Sequence, residues 1–420
     1  MNTKARITIL GLAAETELRD GMLPFWTTEA VDRENGGFFG RIDEHGRPDP
    51  SAGKGLVLNA RILWSFSAVL RRWPDPIVRE VSDRAFRYLV DHFLDPENSG
   101  LFWEVDSEGR ELQGRKQTYG QAFGIYGLAE YFRATGTRAA IELAERLFED
   151  IEAHALDSVS GGYWEARERG WEPIDDIRLS PIDMNAPFSM NTHLHLLEAY
   201  TCLVLASDKP RPRNRLRAVL EIMLDQIIDP ETGQLIPFHD ERWRPMSSVV
   251  SYGHEIEASW LLCEAAEVVG DATLVERAKA VAMRLAESVL SAGYDRVAGG
   301  IYYELSAGRE LDTQKHWWVQ AEGIVGFLNA YQLSGRGEFL DAALKTWEFI
   351  DAHVIDRTLG EWHNRVTAQG EPIPALNLVD FWKCPYHNTR AMLEISERTR
   401  TLAGRDHGRD HGPESGGAAS

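Results

Sequence analysis

An Asp, followed four or five residues later by Gly and then by a short aromatic or apolar run, occurs six times in this 420-residue chain. The copies start at Asp32, Asp95, Asp157, Asp229, Asp295 and Asp356, so successive starts are 63, 62, 72, 66 and 61 residues apart. The fifth is the cleanest, with Gly299-Gly300-Ile301-Tyr302-Tyr303 after its Asp. A second Gly closes five copies, at Gly46, Gly109, Gly170, Gly308 and Gly370, and Trp243 stands there in the fourth. Asp and Gly supply turn conformations, and an aromatic run between two turn signals predicts a β-hairpin. One copy means little, but six at near-constant spacing predict an array of equivalent units.

Two kinds of helix alternate between the hairpins. Helices predicted over 7–31, 76–94, 137–156, 214–228, 273–290 and 338–354 each precede a hairpin. In the fifth of these, Leu274, Ala278, Val281, Leu285 and Val289 form one stripe, with Glu276, Arg277, Lys279, Arg284 and Glu287 off it. That is the pattern of a helix lying on a surface. Helices predicted over 58–73, 119–134, 190–206, 255–269, 318–333 and 381–394 come after the hairpins and are apolar almost all round, so they belong inside. Six surface helices alternating with six buried ones predict an all-α (α/α)6 barrel. The alternative, an open superhelix of helix pairs, calls for more polar terminal units than these. The unbroken repeat predicts one domain over residues 1–402. The tandem Arg-Asp-His-Gly and the polar, Gly-rich stretch after it predict a disordered tail over 403–420, His407 and His411 included. Two connections are longer than the repeat requires, 178–189 and 371–380, and the first, with Asp183 in it, is expected to be a lid.

Formal net charge is -20, with acids and bases intermixed, which disfavours a nucleic-acid partner and suits a neutral ligand. Cys202, Cys263 and Cys384 are too few and too scattered for a disulfide framework or a thiolate metal site. The apolar octet from Ile7 to Ala14 runs straight into Glu15 and Glu17 with no small-residue cleavage site, so it is predicted to be a helix of the working protein, not a signal peptide. No run is long enough to span a membrane, and the cytoplasm is the expected compartment.

Every inner helix is entered from its hairpin, so their N-terminal ends share one rim of the barrel. Those ends carry Asn59 and Arg61; Tyr119 and Gln121; Asn191, His193 and His195; Tyr252, His254 and Glu257; Trp317, Trp318 and Glu322; Trp382, Lys383, Tyr386, His387 and Arg390. Polar groups on buried helices are costly unless paired or used. Trp with Asn, Arg, Glu and His is a lining suited to a sugar, whose ring faces stack while its hydroxyls take hydrogen bonds. A single buried His is usually a satisfied core residue; His195, His254 and His387 at matching places on three helices point to function. His193, two residues from His195, lies on another face and is expected to be structural. Arg61 cannot be neutralised and must face a carboxylate or a developing oxyanion.

His254-Glu255-Ile256-Glu257 is not a metalloprotease motif, and no metal or other cofactor is expected. Glycoside hydrolysis needs two opposed carboxylates, for which Glu257, Glu322 and Asp183 are available. Several histidines with an arginine suit proton abstraction beside a carbonyl better: a neutral His removes and returns a C2 proton, and Arg61 stabilises the enediolate.

These residues stand in longer blocks: Leu58-Asn59-Ala60-Arg61, Asn191-Thr192-His193-Leu194-His195, Gly253-His254-Glu255-Ile256-Glu257, His316-Trp317-Trp318-Val319-Gln320-Ala321-Glu322, and Trp382-Lys383-Cys384-Pro385-Tyr386-His387. In them the chain resembles the N-acylglucosamine 2-epimerase superfamily and, within it, the cellobiose 2-epimerases, from about Leu23 to Glu394. The resemblance implies interconversion of glucose and mannose units at the reducing end of β-1,4-linked disaccharides such as cellobiose and lactose. By it His254 and His387 are the acid/base pair at C2, Arg61 holds the enediolate, His195 assists ring opening or proton relay, and Glu257 orients a histidine or binds hydroxyls. Tyr119, Asp183, Asn191, Trp317, Trp318, Glu322 and Trp382 are the expected substrate-binding residues. The same site on a monosaccharide, giving a mannose or N-acylglucosamine epimerase or isomerase, a glycoside hydrolase and a sugar-binding barrel remain alternatives.

Overall fold

The computed structural model describes residues 2–405. Helices α1 (Thr3–Thr16) and α2 (Leu23–Thr28), joined by a π turn over Glu17–Met22, form the first outer element, and α3 (Leu56–Arg72) is the first inner helix. Outer and inner helices then alternate as α4 (Pro76–Tyr88) and α5 (Thr118–Thr135), α6 (Arg138–His154) and α7 (Met190–Ser207), α8 (Pro210–Ile222) and α9 (Tyr252–Val269), α10 (Ala272–Ser288) and α11 (Trp317–Ser334), α12 (Gly337–Phe349) and α13 (Tyr386–Arg405). The last helix passes the expected domain end at residue 402; residues 406–420, with His407 and His411, lie outside the described residues.

Each inner helix packs on the next, and α13 packs on α3, so the ring is closed and the open superhelix is excluded. The first outer helix completes it: Ile7, Leu10 and Ala14 are buried on the helix that packs against α13. Two glycines allow the inner helices to approach closely. A Cβ on Gly326 would meet the Ile256 carbonyl oxygen at 2.6 Å, and one on Gly127 would meet that of Ala60 at 2.7 Å.

All six turn aspartates behave alike, each carboxylate accepting from the amides two and three residues ahead. In three units the same carboxylate also holds a buried lysine placed just before the inner helix: Asp32 with Lys54, Asp95 with Lys116 and Asp295 with Lys315, at 2.8, 2.9 and 2.9 Å. The second turn differs in detail from expectation. Its left-handed residue is Gly46, Gly109, Trp171, Trp243, Arg309 and Gly370 in the six copies, so in the third and fifth the glycines Gly170 and Gly308 sit one place early. The turn is counted from the residue whose carbonyl accepts three places on, as Glu168 does from the Trp171 amide and Ser306 from that of Arg309.

The short strands do more than form local hairpins. Lys54–Gly55 pairs with Glu104–Val105, Lys116–Gln117 with Ala166–Arg167, Phe188–Ser189 with Phe238–His239, Val250–Ser251 with Glu304–Leu305, and Lys315–His316 with Arg365–Val366. A bridge between Ile42 and Val379 makes the sixth link. Each unit is thereby tied to the next around one rim, and the long 371–380 connection serves this closure. Among the described residues, no helix is long and apolar enough to cross a membrane.

Candidate active site

The linked rim holds a cavity of about 230 Å³. Inner-helix N-termini supply Arg61 from α3, Tyr119 from α5, Asn191 and His195 from α7, His254 and Glu257 from α9, Trp317 and Trp318 from α11 and His387 from α13. Asp183 reaches the cavity from the 178–189 loop. Trp382 does so from a turn, not from the predicted helix over 381–394: Pro385 precedes α13, and Asp380 accepts from the amides of Trp382 and Lys383. Tyr303, from the aromatic run of the fifth hairpin, and Leu179, Ser180 and Ile182 of the long loop also line it. The three loop residues fit the lid expected of 178–189, whereas nothing in the sequence pattern singles out Tyr303. A second cavity of about 350 Å³ shares Leu179, Ile182, Asp183, Asn191, His254 and Tyr303 with the first, under the same loop.

The three histidines are held alike. Nδ1 of His387 lies 2.7 Å from Glu322 Oε1, Nδ1 of His195 2.9 Å from Glu198 Oε2, and Nδ1 of His254 2.7 Å from the Ser251 hydroxyl. This leaves each Nε2 without a hydrogen-bond partner among the described residues. The rings of His254 and His387 lie 4.9 and 5.5 Å from that of Trp318. His193 is otherwise employed: its Nε2 accepts from the Tyr163 amide and its Nδ1 meets the Ser189 carbonyl, so it clamps the third hairpin. Gln121 and Gln320 clamp the second and fifth from the same helix position.

Glu322 does not line the cavity. Its carboxylate lies behind His387, where it also accepts from Trp260 Nε1 at 3.0 Å and from Arg390 at 2.6 Å. The structure thus places Glu322, expected among the substrate-binding residues, against His387 and not in the cavity wall. Arg390, on the next turn of α13, joins three carboxylates: Glu322, Glu257 at 2.5 Å and Glu198. Sequence reasoning misses Glu198, although its spacing of three from His195 on a buried helix is a usable signal. Glu257, Glu322 and His387 are also the one group of metal-ligand geometry among the described residues, and Arg390 already bonds both carboxylates.

Four residues of the cavity wall carry a buried polar atom without a partner: Arg61 Nε, Asn191 Oδ1, Glu257 Oε2 and Trp317 Nε1. Buried groups are normally satisfied, so these four mark the cavity wall as a place where polar groups are left without protein partners. Arg61 is fixed by Tyr119, 2.7 Å from its guanidinium, and by the Phe123 ring at 4.3 Å. Burial pushes Glu257 up to about 8, against the pull of Arg61. Burial, reinforced by Arg61, pushes His254 down to about 4, and burial with Arg61 and His254 lowers His387 well below its ordinary range. Burial and the guanidiniums of Arg61 and Arg390 lower His195 in the same way.

Residues 37–391 match the family of N-acylglucosamine 2-epimerases. The chain is 42% identical to a cellobiose 2-epimerase of Bacteroides fragilis over 387 residues, covering 92% of this chain and 98% of that one. A solved sugar epimerase from a ruminal bacterium superposes with a TM-score of 0.89 at 36% identity, covering 92% of this chain and 98% of that one. The cellobiose 2-epimerase of Spirochaeta thermophila gives 0.87 at 36%, with 94% and 98% covered.

Proposed function

The chain belongs to the N-acylglucosamine 2-epimerase family, and on that premise we propose that it interconverts glucose and mannose units at the reducing end of β-1,4-linked disaccharides. The observation that carries this reading is the set of histidines, His195, His254 and His387, with free Nε2 around one cavity that also holds Arg61. Lowered basicity keeps the imidazoles neutral, as a proton acceptor must be. One of His254 and His387 takes the C2 proton of the open-chain aldose, Arg61 faces the oxygen on which charge develops, and the other returns a proton to the opposite face.

Such a reaction runs both ways, so each base must also serve as acid. The partners of Nδ1 suit that requirement. Glu322 is pushed well above the ordinary carboxyl range by burial and by Glu257, so it can accept the Nδ1 proton of His387 or supply one to it. The Ser251 hydroxyl beside His254 is likewise donor or acceptor. His195 assists ring opening. Asp183, Asn191, Tyr119, Trp317, Trp318 and Trp382 hold the sugar, and the adjoining cavity gives room for a second unit. Hydrolysis fits less well, because Glu257 and Glu322 share one guanidinium instead of opposing each other across a bond to be broken. The cytoplasm is the proposed place of action, where thiols stay reduced, as suits the three free buried cysteines.

Chromatography after incubation with cellobiose, lactose, mannose and N-acetylglucosamine tests the assignment. Glucosyl-mannose from cellobiose is the expected product. Turnover of a monosaccharide alone would move the substrate to the sister enzymes, and free glucose would replace epimerisation by hydrolysis.

A further inference from the structure

Below the layer of Glu198, Glu257, Glu322 and Arg390 the barrel holds another, smaller cavity of about 70 Å³, away from the rim. Glu130, Thr201, Glu264 and Glu394 line it, together with Glu198 and Arg390 from the layer above. At its edge Leu205 is 46% exposed and the Arg71 side chain 47%, so the cavity reaches the surface at the end of the barrel opposite the sugar site. It is polar and, at about 70 Å³, large enough to hold water. Glu198 links the two compartments: it lines the rear cavity, and its Oε2 meets Nδ1 of His195, which lines the other, at 2.9 Å.

Epimerisation by two bases creates a need for such a route. In each turnover the C2–H proton passes to one imidazole while the other imidazole gives its proton to the opposite face of C2. The sugar leaves with its hydrogen count unchanged, but one histidine has gained a proton and the other has lost one. A second turnover in the same direction requires both to be reset. Once the next sugar binds, exchange through the rim is blocked by the sugar itself and by the 178–189 loop that lines it, so a reset that does not depend on the rim keeps pace with sugar binding.

We propose that the rear cavity is a water-filled port: the proton gained by one of His254 and His387, and the proton lost by the other, are exchanged by way of His195, which lines the sugar cavity with them, and Glu198 behind it, with solvent on the side opposite substrate entry. The proposal rests on the epimerase reading above. Burial and the neighbouring Glu394 push Glu264 up to about 7, so this group binds and releases protons near neutral pH; Arg398, Arg133 and Glu130 are the other charges acting on it.

Thr201→Leu, which fills the cavity, and Glu264→Gln, which removes the titrating group at nearly constant shape, test the port in the full chain. Neither residue lines the sugar cavity. A slowed reset lowers kcat and spares kcat/KM, because substrate capture by the correctly protonated enzyme is untouched. We expect kcat on cellobiose to fall about threefold or more, with kcat/KM within about twofold of the parent. A substrate deuterated at C2 and turned over in ordinary water should then return more label to product than the parent allows. Two folded variants with parental kcat and label loss, or with a loss confined to kcat/KM, would overturn the port. A parent enzyme that epimerises no sugar would instead remove the reading beneath it.

Discussion

His387 and Glu322 work as one unit, since the carboxyl group sets the orientation and tautomer of the imidazole. His387→Asn should leave the circular dichroism spectrum unchanged and lower kcat by more than about a hundredfold, the scale of a lost general base. Glu322→Gln should cost about a hundredfold as well, through a misdirected imidazole, with a much smaller change in KM. Full activity in either variant would remove its residue from the proposed mechanism. Because His254 is pushed down to about 4, its basic form persists below the ordinary histidine range. The acid limb of kcat/KM should accordingly lie well below pH ~6.5, the unperturbed value, and a limb at that value would contradict a buried neutral base. The histidines and Arg61 are legible in the sequence because polar side chains stand out on apolar helices. The layer that holds them is not: Arg390 and Glu198 are 192 residues apart, and only the closed ring brings α7 and α13 together.

The repeated turn is an element of stability as well as a turn. Lys315 is fully buried and meets Asp295 at 2.9 Å, with further bonds to the Gly299 and Ala368 carbonyls. Asp295→Ala should lower stability by about 3–5 kcal/mol, since it leaves a buried ammonium unpaired; urea denaturation measures the loss. Against the cost of burial, backbone amides and Lys315 hold Asp295 below the ordinary carboxylate range. Its contribution is therefore complete above the unfolded value of about 4 and fades as pH falls through the lower folded value. Gly326→Ala places a methyl group against the Ile256 carbonyl, and the resulting strain of about 1–3 kcal/mol should exceed the gain of about 1 kcal/mol in helix propensity. A raised melting temperature would show that α9 and α11 can separate without penalty. Helix type and order can be read from periodicity. The π turns that end α4, α8, α10 and α12, over Leu89–Phe93, Met223–Ile227, Val289–Gly293 and Ile350–Val354, carry no such pattern. Nor does the pairing of each pre-helix strand with the next unit, because cross-unit register depends on the closed ring.

At the scale of the whole molecule, sixfold repetition does two things. It closes the helices into a ring whose first and last units meet through α1 on α13 and Ile42 beside Val379. It also delivers six helix N-termini to one rim, so residues more than 300 positions apart, Arg61 and His387 among them, share one cavity. The number of units is countable in the sequence, whereas closure, which an open superhelix of the same helix pairs would lack, is seen in the packing of α13 on α3. The second cavity beneath the 178–189 loop and the rear opening leave no mark there, because both are spaces between elements. The measurement closest to the central claim is proton NMR of cellobiose incubated with the enzyme in D₂O. Proton exchange by two histidines requires a glucosyl-mannose product bearing deuterium at C2 of its reducing unit, with solvent label entering the recovered cellobiose at the same carbon. Epimer formed with its original hydrogen still at C2 would contradict proton abstraction by a histidine pair.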